Sequence, residues 1–166
     1  NNCSTWTAVN ISGLTNDDYR SVTYGNEIFV AIDGSANSGI YSTDNGQTWT
    51  ETTVDPEGDS TVYNWRHVEF GNGRFVAVSE DSRKAAYSFD GITWYTNSDT
   101  FSDIASEPLS PVTFQPSGIK YKNGVFVVIG LSSAAATDVA FTSEDGVLWT
   151  QRALSSSQLW GALTYG

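Results

Sequence analysis

The sequence is poor in the residues on which many enzyme and metal sites are built. Its 166 residues include one cysteine, Cys3, one histidine, His67, and no methionine. A lone cysteine excludes an internal disulfide and a zinc site made of cysteines; Cys3 could pair with another chain or stay a free thiol. A single histidine removes most hydrolase schemes that place a histidine base beside a nucleophile, and a histidine inside an apolar strand favours a packed role. Because there is no initiator methionine, we expect the chain to be processed or to be part of a longer one.

Positive charge and long apolar runs are also scarce. Lys and Arg number 8 against 19 Asp and Glu, which gives a formal net charge of −11. A phosphate backbone would be repelled by this charge, so the sequence predicts no nucleic-acid partner. No apolar run approaches the roughly 20 residues that a membrane helix requires, and there is no secretory signal, so we predict no membrane insertion.

The chain nevertheless has the material for a core. Hydrophobic residues make up 39% and aromatic residues 13% of the sequence. The uncharged remainder is mostly Ser, Thr, Asn and Gly, which suits strands and tight turns better than helices. The length fits one domain, so residues 1–166 are treated as a single unit.

One pattern recurs along this unit. Residues 19–32 (YRSVTYGNEIFVAI) match residues 65–78 (WRHVEFGNGRFVAV), and a third copy runs over 118–129 (GIKYKNGVFVVI). A fourth copy begins at 160–166 (WGALTYG). Each of the first three is followed by a second signature, which we call a box turn: 42–49 (STDNGQTW), 88–94 (SFDGITW) and 143–149 (SEDGVLW). In the third box turn we pair Ser143 with Asp145, rather than Thr142 with Glu144, because this keeps both the Ser and the Asp.

This period, with four short β runs in each copy, indicates the blade of a β-propeller. We label the runs strands A to D, with an Asn-Gly-like turn between A and B and the box turn between C and D. The predicted fold is therefore all-β, with three complete four-stranded antiparallel blades at about 18–50, 64–95 and 117–150. Partial blades are expected at 1–9, with Trp6 on a strand D, and at 159–166, with Tyr165 on a strand A.

This strand count does not close a ring. One D, three sets of four and one A cannot be divided into four-stranded blades, and a ring needs at least about four blades. We therefore expect the chain to be part of a larger propeller, with further blades supplied by the same chain or by neighbouring chains.

The box turn resembles the Asp-box, S-x-D-x-G-x-x-W, of bacterial neuraminidase repeats. The resemblance implies a structural turn: Ser and Asp hydrogen-bond within the hairpin, Gly takes positive φ, and Trp fills the gap between blades. The residues that carry it are Ser42, Asp44, Gly46 and Trp49; Ser88, Asp90, Gly91 and Trp94; and Ser143, Asp145, Gly146 and Trp149.

Candidate ligand-binding residues lie on the D-to-A connections and at the starts of the A strands. These connections vary most, and variable loops on a rigid scaffold commonly carry binding sites. In propellers of the class that this chain resembles, they share one face with the B-to-C connections, opposite the box turns. Aromatic rings beside Arg or carboxylates can bind sugars; alternatively, the aromatics simply pack at the ring entrance. The candidates are Tyr19, Arg20, Tyr63, Trp65, Arg66, Phe101, Asp103, Glu107 and Trp160.

Three functions follow from this reading. The repeats are similar to those of phage appendages and bacterial surface proteins, which implies a non-enzymatic module, extracellular or on a virion surface, that binds a glycan or another protein subunit. A fragment of a sialidase-like glycoside hydrolase is the enzymatic alternative, for which Arg20 and Arg66 could converge on a substrate carboxylate. A purely structural virion or surface component is the third. No cofactor is predicted, although the acidic run 55–60 (DPEGDS) leaves calcium open.

Overall fold

The computed structural model describes residues 7–9, 11, 13–54, 61–80, 83–97, 101, 114–132, 137–152, 154 and 163–164. Twelve strands and no helix are found in these ranges. The strands are β1 (Tyr19–Gly25), β2 (Ile28–Asp33), β3 (Ser38–Ser42), β4 (Thr50–Thr53), β5 (Asn64–Gly71), β6 (Arg74–Glu80), β7 (Ala85–Ser88), β8 (Tyr95–Asn97), β9 (Phe114–Lys122), β10 (Val125–Ser132), β11 (Thr137–Ser143) and β12 (Thr150–Arg152). Within the described ranges, therefore, no helix is available that could cross a membrane.

The strands form three separate four-stranded antiparallel sheets, each a simple meander in chain order. We call them blade 1 (β1–β4), blade 2 (β5–β8) and blade 3 (β9–β12), with strands A to D in that order. The predicted all-β fold with three four-stranded blades is confirmed. Strand D begins at Thr50, Tyr95 and Thr150, so each box-turn tryptophan directly precedes strand D. Residues 1–6 and 159–162 lie outside the description, as do Tyr165 and Gly166, so the expected flanking strands are not described.

The A–B hairpins form where the sequence supplies positive φ. Asn72 and Gly73 have φ of 48° and 73°, and Asn123 and Gly124 have 51° and 85°. Two successive residues at positive φ match the twist of the flanking strands, which is why Asn-Gly pairs favour tight hairpins. Blade 1 makes the same turn with Asn26 and Glu27, so Glu27 takes a φ of 66° where the other blades use glycine.

The core lies between the blades rather than inside any one of them. Val30 and Ile32 of blade 1 meet Phe75 and Ala77 of blade 2 in one buried cluster. Val76 and Val78, on the opposite face of the same strand β6, join Phe126 and Val128 of blade 3 in a second cluster. Strand β6 is thus covered on both faces, which explains its nearly unbroken apolar sequence.

Two glycines set how closely the innermost strands approach. A Cβ atom on Gly25 would overlap the Phe70 ring of blade 2, and a Cβ atom on Gly71 would overlap the Tyr121 ring of blade 3. Blades 1 and 2 thus each end strand A with a notch for an aromatic ring of the following blade. Position 122, the equivalent in blade 3, is Lys rather than Gly.

The box-turn tryptophans are not equally buried. Trp94 lies between blades 1 and 2 and is 3% exposed, as predicted. Trp149 is only partly buried, against Phe101 and Phe126. Trp49 is also half-buried, because it faces away from blade 2. Its ring packs near Phe29 of its own blade, with ring centres 6.5 Å apart. The expectation of deep burial for all three is correct only for Trp94.

Candidate functional site: the D–A loop face and the axial groove

The D-to-A and B-to-C connections meet at one end of the molecule, which we call the D–A face. Asn37, between strands B and C of blade 1, accepts a hydrogen bond from the Tyr63 amide (2.7 Å) and donates one to the Thr61 carbonyl (2.5 Å). Tyr63 and Thr61 belong to the connection from blade 1 to blade 2. The loops that the sequence predicts to share this face therefore do contact each other.

The box turns occupy the opposite end, together with the A–B hairpins. Asn26 donates to the Phe89 carbonyl of the next blade (3.1 Å), and Asn72 donates to the Glu144 carbonyl (3.0 Å). One bond of this kind crosses each of the two blade boundaries, so it is part of the repeat.

Three of the predicted ligand-stacking aromatics are core residues. Tyr63, Trp65 and Phe101 are 4%, 0% and 0% exposed. Tyr63 packs on Trp65 with ring centres 6.0 Å apart, and Phe101 lies within 5.4 Å of the rings of Phe114, Phe141 and Trp149. Rings buried this deeply have no surface to offer to a ligand, so we remove these three from the candidate site.

The other predicted residues have mixed outcomes. Tyr19 is half-buried, and its pKa is raised, first by burial and then by the charges of Asp33, Glu51 and Asp17. Trp160, Asp103 and Glu107 lie outside the described residues, as does the acidic run 55–60.

Both candidate arginines are already paired with carboxylates of their own blades. Arg20 binds Asp18 in a fork, with Nε at 2.8 Å from Oδ1 and Nη2 at 2.7 Å from Oδ2. Arg66 contacts Glu80 at 2.5 Å. The pairing with Arg20 lowers the pKa of Asp18. The equivalent arginines of blades 1 and 2 thus form one ion pair each. The hydrogen bond and charge of Asp18 raise the pKa of Arg20, and the charge of Glu80 also contributes to raising it.

The structure does bring together a set of polar side chains that the sequence reasoning missed. The A strands of all three blades line an axial groove of about 240 Å³. Its polar groups include Ser21 of blade 1, His67 and Glu69 of blade 2, and Lys120 of blade 3. Positions 23, 69 and 120 are equivalent in the repeat, so aligning the copies and directing strand A toward the ring axis would have found it.

The groove is held together across the blade boundaries. Ser21 Oγ accepts a hydrogen bond from the Val68 amide (3.1 Å), and Lys120 pairs with Glu69 at 2.8 Å. His67 Nε2 lies 3.2 Å from the Pro116 carbonyl. Burial lowers the pKa of His67 despite this contact, so the ring is neutral near pH 7. Leu163 closes the far side beside Gly118.

The box-turn carboxylates bind their own turns, as predicted. Asp90 Oδ1 accepts hydrogen bonds from the Ile92 and Thr93 amides at 2.9 and 2.7 Å, and Ser88 Oγ bonds both Asp90 and the Gly91 amide. The arrangement recurs at Asp44 and, in the short form with Ser143, at Asp145. These turns use Asp as a local scaffold rather than as a free acid.

The hydrogen bonds also shift the acidity of the turns. The Thr48 hydroxyl and amide, followed by the Ser42 hydroxyl, lower the pKa of Asp44 to about 2. Burial raises the pKa of Asp90 and Asp145, but the turn amides and the serine hydroxyls outweigh it, so both values lie below the ordinary one. In the described ranges there is no cluster of three or more His, Cys, Asp or Glu that could hold a metal ion.

Comparison with known proteins gives the fold and nothing finer. No protein-family model and no curated protein matches the chain. Among solved structures it is similar to YCF48 bound to D1 peptide (TM-score 0.56, 16% identity, 89% of this chain and 43% of that one). It is also similar to a protein of the GH130 family of mannoside phosphorylases, which contains glycoside hydrolases that target β-1,2 mannosidic linkages in Candida mannan. The TM-score is 0.51 and the identity 13%, over 86% of this chain and 50% of that one. A third similar structure is a thermostable family-43 glycoside hydrolase, with a TM-score of 0.51 and 14% identity over 90% of this chain and 58% of that one.

These neighbours are β-propeller proteins, and at such identities the likeness concerns the fold alone. The chain spans between 43% and 58% of their lengths, so it corresponds to part of a propeller of their size.

Proposed function

We propose that the chain is a non-enzymatic binding module that engages a glycan or a protein segment at the D–A face, at the axial groove. The observation that carries this is the convergence of Ser21, Glu69 and Lys120 from three different blades on one groove. Donors and acceptors brought together on a rigid frame are the ordinary make-up of a ligand site. The groove follows the middle of each strand A.

The ion pairs of Arg20 and Arg66 favour binding over sialidase-like hydrolysis. A carboxylate clamp needs guanidinium groups free to make two bonds each. Here each guanidinium group is already paired with a carboxylate, Arg20 with Asp18 and Arg66 with Glu80. We further infer that the three box turns are Asp-boxes of the neuraminidase-repeat kind, because their Ser and Asp side chains bind the turn as that motif requires.

The neighbouring structures support both classes of ligand. YCF48 was solved bound to a D1 peptide. The family-43 protein is a glycoside hydrolase, and the GH130 protein comes from a family that contains glycoside hydrolases. We favour a module of an extracellular or virion surface, with further blades in the same chain or from neighbours.

A glycan array with matched variants tests the proposal. Glu69→Thr combined with Lys120→Thr gives the groove the residue that blade 1 carries at the same position, Thr23, and should abolish binding at this face. Arg152→Thr, on the outer strand of blade 3, is the control and should leave binding unchanged. Release of fluorophore from a sialoside panel would instead support the hydrolase. A chain that binds no glycan, but whose D–A face is covered by protein in its native assembly, would support the structural reading.

A further inference from the structure

Three side chains of blade 2, Arg74, Phe89 and Tyr95, depart from the repeat without any need of the fold. Together with Tyr87, which blade 1 repeats as Tyr41, they lie on the face of blade 2 that looks toward blade 3, near the box turns; we call these four the rim patch. Tyr87 and Tyr95 stack with centres 5.5 Å apart, and Phe89 meets Tyr87 edge-on at 5.9 Å. The Arg74 guanidinium lies 4.9 Å from the centre of the Phe89 ring and 5.9 Å from that of Tyr87.

The repeat shows that these residues are not required for a blade. At the positions of Arg74, Phe89 and Tyr95, blade 1 has Ile28, Thr43 and Thr50, and blade 3 has Val125, Glu144 and Thr150. Blades 1 and 3 nevertheless each form a four-stranded sheet like that of blade 2. Blade 2 therefore carries a cation and two large rings where the others carry aliphatic, small polar or acidic side chains.

The patch is open to solvent and leaves donors unused. Phe89 is 54% and Tyr95 45% exposed. Arg74 donates no hydrogen bond to any residue in the described ranges, and its Nε is buried. Its partners are ring faces, together with the charge of Asp145, whose pKa it helps to lower. The Nη groups of Arg74 are not buried and make no hydrogen bond in the described ranges, so they are the donors that an acceptor at the patch would meet.

The size of the patch argues against a protein surface. A fully buried aromatic side chain covers about 150–250 Å², so two rings that are about half exposed offer on the order of 200 Å². A stable protein interface takes roughly 800 Å² from each partner. An area of this size matches one or two sugar rings.

We infer that the rim patch binds a pyranose unit of a glycan. A pyranose has one face of C–H groups and a rim of oxygens. The C–H face suits the negative face of an exposed aromatic ring, here Phe89 and Tyr95. The guanidinium fork presents parallel donors to neighbouring oxygens, whether two vicinal hydroxyls or one sugar carboxylate. The site lies near the box turns on strands B to D of blade 2, whereas the axial groove lies on the A strands, so it goes beyond the function proposed above and does not depend on it.

An array of neutral and carboxylated pyranose glycans, followed by titration of the glycans bound, tests this inference. Phe89→Thr and Arg74→Ile install the residues of blade 1, so the fold has a precedent for both. Each should weaken the bound glycan at least tenfold, equivalent to about 1.4 kcal/mol. Tyr24→Thr is the matched control, since Tyr24 is 52% exposed but lies on blade 1, and it should change nothing.

The pattern of loss separates this site from the groove. If the acceptor is a carboxylate, Arg74→Ile should remove the preference for acidic glycans; if hydroxyls accept, neutral glycans should lose affinity equally. The groove variant Glu69→Thr with Lys120→Thr should leave rim binding intact. In the wild-type chain, glycan should shift the ring NMR signals of Phe89 and Tyr95. A chain that binds no pyranose glycan, or whose binding survives both rim substitutions, overturns the inference.

Discussion

The boundary between blades 1 and 2 and the boundary between blades 2 and 3 are built from the same parts and filled differently. Each has a glycine notch, an asparagine bond and a box-turn glycine packed on a valine: Gly91 on Val30, and Gly146 on Val76. They differ in what fills the remaining space, which is Tyr63 and Trp65 at the first boundary and Phe101 at the second. The features that all copies share thus fix how the blades dock, while residues that differ between the copies or lie outside them decide how completely each gap is closed.

The largest expected difference between the two boundaries lies in how much each depends on its box-turn tryptophan. Trp94→Ala should lower the free energy of unfolding by about 3–5 kcal/mol, the cost of removing a buried aromatic side chain. Trp149→Ala should cost about half as much, because Phe101 shares its gap and the ring is only partly buried. Denaturant unfolding of both variants checks this. Equal losses would mean that the two boundaries are equally dependent on their tryptophans.

The glycine notch comes next in expected size. Gly71→Ala should cost about 3 kcal/mol, because the new methyl overlaps the Tyr121 ring at its root and forces a shift of blade 3. Gly73→Ala, two residues away, is the control: open space surrounds it, and only its φ of 73° is unfavourable for alanine, about 1 kcal/mol. If the two variants unfold alike, close approach of the blades is not what position 71 requires.

The box-turn carboxylates predict acid sensitivity. Their pKa values lie below the ordinary value in the folded chain, so their stabilisation is complete above about pH 4 and is lost as the pH falls toward 2. Asp90→Asn should therefore lower stability by about 1 kcal/mol at pH 7, and its difference from the wild-type chain should shrink as the pH falls through the lowered pKa of Asp90. Thermal unfolding across pH 2–7 measures the difference.

The carboxylates of the second and third box turns, Asp90 and Asp145, also differ in their surroundings. Asp90 Oδ2 accepts a bond from the Thr93 hydroxyl (3.2 Å), whereas the third turn has Leu148 at that position and the Arg74 charge nearby. In an NMR titration, Arg74→Ile should raise the pKa of Asp145 and leave that of Asp90 unchanged. A parallel rise in both would mean that Arg74 acts on the whole fold.

The asparagine bond has the smallest expected effect. Asn72→Gly keeps the positive φ but removes the bond to the Glu144 carbonyl, and it should cost about 1 kcal/mol or less. Asn123→Gly is the matched control, since Asn123 occupies the equivalent turn and makes no such bond within the described ranges. Hydrogen exchange of the amides in the 143–149 turn should rise for Asn72→Gly and not for Asn123→Gly.

Much of the fold could be read from local features. Asn-Gly turns, Ser-x-Asp box turns and apolar runs on a fixed period predicted three blades in order, together with the roles of Asp44 and Asp90. The candidate site was harder to predict. In the sequence, Trp65 and Phe101 look like exposed aromatic residues that could stack on a ligand. The sequence does not show whether a neighbouring blade covers an aromatic residue beside a loop, and here both residues are buried.

The sequence by itself determined the strands, their pairing within each blade and the chemistry of the turns, because these depend on residues a few positions apart. Only the tertiary structure decided which surfaces are free. Burial of Tyr63, pairing of Arg20 with Asp18, convergence on the axial groove and exposure of Phe89 follow from the angle and distance at which one blade meets the next. Packing joins residues about 50 positions apart, as Glu69 and Lys120 show, and only the alignment of distant repeat copies, not a local pattern, points to that contact.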